Sequence, residues 1–229
     1  DTPVSGIVLQ NCTTIWPKIT DSRFYGNSWS VYVNNCGGRV QINGCDFQSG
    51  TRIKINGSST LDTITLTGNL LQGANASDNT FLVNTASKVN VTGNTFGVST
   101  ESGIYLTNVD YGVISGNSID NAGFNTPNSG STTAPAAIRL VGCKELVVSG
   151  NSISTSAAAT YNGYGIYSAT NGARISRCTF SNNRISASYN GAAYRNQNRR
   201  LNVDTTDILI GNSFEVAAGV AQEYRGILS

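Results

Sequence analysis

The stretch "VISGNSI" occupies Val113–Ile119, and "VVSGNSI" returns at Val147–Ile153. A looser form, "NVTGNTF", precedes both at Asn90–Phe96. In each copy an asparagine sits three residues after one apolar side chain and two before the next. That rule, apolar-x-x-slot-x-apolar, also selects Ser22, Cys45, Asn69, Cys178 and Asn212. The slots 22, 45, 69, 94, 117, 151, 178 and 212 are 23, 24, 25, 23, 34, 27 and 34 residues apart. Asn183, between Phe180 and Ile185, competes with Cys178 for the seventh slot.

A second phrase recurs between slots: two apolar residues separated by one. It reads Ile7/Leu9, Val31/Val33, Ile53/Ile55, Phe81/Val83, Ile104/Leu106 and Ile138/Leu140. A third, Val40/Ile42, Ile64/Leu66, Val89/Val91 and Leu146/Val148, leads into the slots. A period of two places each pair on one face of a strand. Helical periodicity is missing throughout. Short strands and turns at a period in the twenties define a solenoid, in which no repeat buries its apolar face alone. Windings stacked about 4.8 Å apart bury a continuous core and pair their backbones. The slot follows glycine at Gly44 and Gly68, which marks a tight turn with left-handed backbone. Stacked asparagines there can bond from winding to winding as an amide ladder. Two positions strain the pattern. Gly112 leaves an inward site without a side chain, and Asp207 would point inward unless the last winding slips register.

The pattern resembles the right-handed parallel β-helix of the pectate-lyase-like superfamily, whose windings carry an asparagine ladder at one turn. The expected fold is all-β: a single-stranded right-handed parallel β-helix of about eight coils. It carries an Asn/Cys/Ser turn ladder and loop insertions on one edge, and residues 1–229 form a single domain. The chain enters one strand-like run ("SGIVLQN") almost at once and stops in another ("YRGILS"), so it is expected to be a piece of a longer polypeptide.

Composition narrows the chemistry. Fifteen Lys+Arg against 13 Asp+Glu leave a net charge of +2, too little for a nucleic-acid partner or a polybasic membrane patch. No apolar run nears the roughly 20 residues of a bilayer span, so no membrane insertion is expected. The absence of histidine removes Ser-His-Asp, Cys-His and His-metal arrangements together. No metal or other cofactor is implied. Two carboxylates in "NVDTTD" (Asn202–Asp207) do not make a calcium site. Cys12, Cys36 and Cys143 each lie five residues after the first inward residue of their strand. They read as reduced thiols at buried small-residue positions, although Cys12 and Cys36, in one register on neighbouring windings, are within geometric reach of a disulfide.

The segments between a slot and the next winding lengthen late in the chain, at Asp120–Pro135, Ser154–Gly165 and Ser186–Arg200. All leave the same turn and should pile up along one edge, the usual binding face of a repeat protein. Tyr161, Tyr164, Tyr167, Tyr189 and Tyr194 gather there, and tyrosine offers sugars a flat apolar face with a polar tip. Tyr161, Tyr164, Tyr189 and Tyr194 are the substrate-binding candidates, with Arg195. Arg195, Arg199 and Arg200 form the dense basic group, suited to a solvated or intersubunit role or to an anionic sugar.

Carboxylates are the remaining acid–base groups. Asp78 and Glu101 each lie three residues before the first inward residue of adjacent strands, Phe81 and Ile104. They should stack one winding apart, where mutual repulsion leaves one protonated. An acid beside a carboxylate about 5–5.5 Å away suits retaining glycoside hydrolysis. Asp120 is an alternative partner on the same edge, and Asp62 and Asp110 read as turn residues. In texture, with Asn/Ser/Thr/Gly-rich coils, low charge and large loops, the chain is most similar to bacteriophage tailspikes and tail-associated polysaccharide depolymerases. That resemblance implies a homotrimer, extracellular or on a virion tail, that binds and cleaves a bacterial surface polysaccharide. A non-catalytic receptor-binding or structural β-helix, and a secreted polysaccharide lyase or epimerase, remain alternatives. The calcium-plus-basic-residue pattern of pectate lyases is not found.

Overall fold

The computed structural model describes residues 5–26, 29–48, 52–72, 79–99, 101–120, 122, 136–155, 164–169, 177–187, 194–196 and 207–216. The described residues form a single-stranded parallel β-helix without α-helices. Each winding crosses three faces. The first carries Ser5–Gln10, the leading halves of Trp29–Asn43, Ile53–Thr67, Phe81–Thr92 and Ile104–Ser115, and then Ala136–Val141, Tyr164–Ala169 and Tyr194–Asn196. The second carries Lys18–Thr20, the trailing halves of the four long strands, and then Leu146–Ser149, Thr179–Ser181 and Ile208–Ile210. The third is an eight-stranded sheet running from Arg23–Tyr25 to Ser213–Val216.

Every strand pairing is parallel, and the paired apolar residues fall into inward columns. Val31, Ile53, Phe81, Ile104, Ile138 and Ile166 stack in register on the first face and all are buried. Ile19, Ile42, Leu66, Val91, Ile114, Val148, Phe180 and Leu209 do so on the second. The third contributes Phe24, Phe47, Leu71, Phe96, Ile119, Ile153 and Ile185, with Phe24 and Phe47 stacked 4.8 Å apart. Each fully buried Phe or Ile contributes roughly 1.5–3 kcal/mol relative to exposure. The interior is therefore one continuous apolar rod.

The ladder stands at the corner between the second and third faces. Nδ2 of Asn69, Asn94, Asn117, Asn151 and Asn183 each donates to Oδ1 of the next asparagine, ending at Asn212, at 2.9–3.0 Å. The same Oδ1 also accepts the backbone N–H of the preceding ladder residue. The residue before each slot has left-handed backbone: Gly44, Gly68, Gly93, Gly116, Gly150 and Gly211, with Asp21 at φ 49° and Asn182 at φ 52° in place of glycine. Asp and Asn tolerate this region best among side-chain-bearing residues. Cys45 imitates an asparagine. Its thiol points at the Asn43 and Ile19 carbonyls, as Nδ2 of Asn69 points at Thr67 and Ile42.

Two expectations are corrected. The seventh slot is Asn183, which bonds to Asn151 and Asn212, and not Cys178. Cys178 instead sits in the inward second-face column, because Thr179 pairs with Val147 and Phe180 with Val148. The expected slip at Asp207 does not occur: Phe180 pairs with Leu209 in unbroken register. Asp207 is 4% exposed, and its Oδ1 accepts the backbone N–H of Cys178 at 2.9 Å. That bond offsets part of the cost of burying the carboxyl group. At Gly112 a Cβ would lie 1.9 Å from the Val89 carbonyl oxygen, so close approach of the windings requires glycine there.

Candidate functional site

On the first face, the residue between each inward apolar pair points outward. Parallel in-register pairing converts these middle residues into a column: Val8, Tyr32, Lys54, Leu82, Tyr105, Arg139 and Tyr167. Rings and cations alternate along much of it. The Lys54 ammonium lies 5.0 Å from the centroid of the Trp29 ring and 5.9 Å from that of Tyr32, and the Arg52 guanidinium lies 5.4 Å from Trp29. Farther along, Arg139 lies between Tyr105 at 4.6 Å and Tyr167 at 5.7 Å. Such contacts are each worth about 0.5–2 kcal/mol, more when water is excluded. Beside this column runs an amide and hydroxyl row: Gln10, Asn34, Asn56, Asn84 and Thr107. Asn56 Nδ2 approaches Asn34 Oδ1 at 3.4 Å.

On other faces and corners, four described cations meet carboxylates from a neighbouring winding: Arg23–Asp46 at 3.2 Å, Arg39–Asp62 at 3.0 Å, Lys144–Asp110 at 3.5 Å, and Arg177–Glu145. The outward column just described contains no acid, and neither Lys54 nor Arg139 has an ion pair among the described residues. Arg139 is 7% exposed, and among the described residues its Nε has no hydrogen-bond acceptor. Burial of a cation is costly, and the flanking rings supply partial compensation. The strip is half-exposed from Tyr32 to Tyr105 and buried at Arg139 and Tyr167, the latter 2% exposed.

Several residues singled out in the sequence lie elsewhere. Asp78, Tyr161, Tyr189, Arg199 and Arg200 fall outside the described residues, as do most of the three long insertions. Tyr164 and Tyr194 are strand positions paired with Ala136 and Ile166, whereas Arg195, paired with Tyr167, takes the next register position of the outward column. Glu101 is half-buried just before the strand Ile104–Ser115, whose Ile104 pairs with Phe81. The neighbouring Ser102 N–H donates to Asn79 Oδ1 at 3.1 Å, which holds that edge of the two windings in the expected register. Asp120 is exposed at the end of the strand Ser118–Asp120 and accepts a hydrogen bond from Ser154 Oγ at 3.0 Å. Asp62 and Asp110 lie at the surface in ion pairs. No group of three or more His, Cys, Asp and Glu able to hold a metal occurs among the described residues.

Sequence reasoning missed Tyr32, Lys54, Tyr105 and Arg139 as a unit. The signal was present in the middle letters of "VYV", "IKI", "IYL" and "IRL", which become neighbours only through the register. A comparison with protein families matches residues 5–208 to the family described as "Right handed beta helix region". No curated protein and no solved structure matches the chain.

Proposed function

The chain belongs to the right-handed β-helix family, and from that premise we propose that it binds an acidic polysaccharide along the outer surface of its first face. The observation that carries this reading is the column of rings and cations, in which Lys54 and Arg139 meet no acid among the described residues. Aromatic faces stack on the apolar faces of sugar rings, and the flanking amides supply hydrogen bonds to hydroxyls. Windings about 4.8 Å apart repeat the contact on the scale of successive sugars. Lys54, half-exposed, then attracts carboxylates, while Arg139, buried against Tyr105, adds positive potential from beneath that ring. An extracellular bacterial surface polysaccharide, bound by a homotrimer of tailspike type, is the setting this reading favours.

The test is binding of the full chain to acidic polymers, including polygalacturonate, alginate and hyaluronan, each beside its carboxyl-reduced counterpart. Binding to at least one acidic polymer is expected, with at least tenfold loss on carboxyl reduction and steep weakening by salt. Equal binding to the reduced polymers would keep the carbohydrate reading and remove the acidic one. No binding to any polymer would remove both.

A second reading adds cleavage. The pairing of Phe81 with Ile104 supports positions 78 and 101 lying one winding apart, so Asp78 and Glu101, or Asp120, serve as the acid pair of a retaining hydrolase. Glu101→Gln should then fold normally and lose the release of new reducing ends; full activity in that variant removes the assignment. Products with an unsaturated uronate would instead favour a lyase, and no new ends at all a purely binding protein.

A further inference from the structure

The corner between the first and second faces carries a column of its own: Cys12, Cys36, Ala86, Val109 and Cys143 occupy equivalent places in their windings. The thiols there behave alike. Cys12 Sγ donates to Gln10 O at 3.3 Å, Cys36 Sγ to Asn34 O at 3.4 Å, and Cys143 Sγ to Val141 O and to Leu106 O. Only Cys12 and Cys36 are neighbours. Gln10 pairs with Asn34, Gly37 N donates to Cys12 O at 3.1 Å, and the Cys12 N–H reaches Cys36 Sγ at 3.4 Å. Cys45 lies between Ser22 and Asn69 on the ladder. Cys143 is level with Val109, and Cys178 with Leu146 and Asp207.

We propose that Cys12 and Cys36 are a modification site that closes, in an oxidising medium, a disulfide stapling the first winding to the second. Cys12 follows the strand Ser5–Gln10, Cys36 takes the equivalent place in the next winding, and stacked windings lie about 4.8 Å apart, inside the roughly 4.4–6.8 Å Cα separation that a disulfide spans. The staple joins a winding that has Ser22 in place of a ladder asparagine. The two thiols also differ in access. Cys12 is partly exposed and Cys36 is buried, so the oxidant meets Cys12 first. With glutathione disulfide as oxidant, the Cys12 thiolate attacks one sulfur and expels a glutathione thiolate, which takes up a proton. Cys36, deprotonated, then attacks Cys12 Sγ of the mixed disulfide and expels the second glutathione. Two protein thiols are oxidised and one glutathione disulfide is reduced to two glutathiones. Burial, and after it the adjacent Cys12 thiol, push the Cys36 thiol up, so the closing step should accelerate as pH rises.

The experiment equilibrates the full chain with mixtures of glutathione and glutathione disulfide, alkylates the remaining thiols and maps the peptides. Three of the five cysteines should stay alkylatable, with one cross-linked peptide pair holding Cys12 and Cys36. The Tm should rise by roughly 5–10 °C, and neither change should appear in Cys12→Ser or Cys36→Ala. Five alkylatable cysteines under the most oxidising mixture, a glutathione adduct that persists on Cys12, or a cross-link to any other cysteine would each overturn the proposal. Cys12→Ser alters a partly exposed position, so its folding is readily checked against the wild type.

Discussion

The inside of the ladder corner and the outside of the first face are made by the same repeat, yet they end in opposite electrical conditions. At the corner, each asparagine between Asn69 and Asn183 finds its partner in the next winding. On the outer strip, Lys54 and Arg139 find rings and, among the described residues, no carboxylate. Stacking alone therefore does not decide whether a polar group is satisfied; the side chain brought into register does. A solenoid can close its books in one column and leave a neighbouring column open to a ligand.

The comparison breaks most violently at the ladder. Asn117→Ala removes the acceptor of the Asn94 amide and backbone N–H, and the donor to Val91 O. Several buried groups lose partners at about 1–3 kcal/mol each, so a loss of roughly 3–5 kcal/mol is expected in denaturant unfolding, with sugar binding per folded molecule unchanged. Tyr105→Ala should do the reverse. It should cost about 0.5–2 kcal/mol of stability, less than the ladder change, and weaken binding to the acidic polymer about tenfold, measured by calorimetry, as expected for loss of one stacked ring and its cation–π contact. A smaller contrast sharpens the electrostatic half. Lys54→Gln should flatten the salt dependence of binding, whereas Asp62→Asn, which cuts an exposed pair with Arg39, should leave binding alone and alter stability by less than about 1 kcal/mol.

The smallest expected effect is alkaline. Burial raises the Cys45 thiol above its ordinary value of 9.0, so the folded state resists its ionisation more than the unfolded chain does. Its contribution is complete below the unfolded pKa and is lost as pH rises through the folded one. Thermal unfolding followed above pH 9 should show a shallower decline in Cys45→Ser than in the wild type.

The fold was legible because glycine–asparagine pairs and alternating apolar residues are local signals that survive without knowledge of register. The errors came where a local signal was ambiguous. Ile175, Cys178 and Phe180 satisfy the slot rule by sequence alone, but the second-face strand here is the short Thr179–Ser181, which makes Phe180 the apolar residue three before the slot and not the one two after it. Asp207 looked incompatible with the interior because the Cys178 N–H that donates to it lies 29 residues away. The strip was illegible for the same reason. Tyr105 and Arg139 are 34 positions apart, and only the pairing of Ile104 with Ile138 makes them touch. The proposed acids remain a matter of register in the sequence; Asp120 is seen with Ser154.

The ladder also has a direction. Each Oδ1 serves the winding before it, through both the side chain and the backbone of the preceding asparagine. A coil thus completes its own bonding only after its successor has been laid down. A ribosome delivering the chain from its amino end supplies these acceptors in that sequence, so assembly can advance like a ratchet, each new turn locking the one already made.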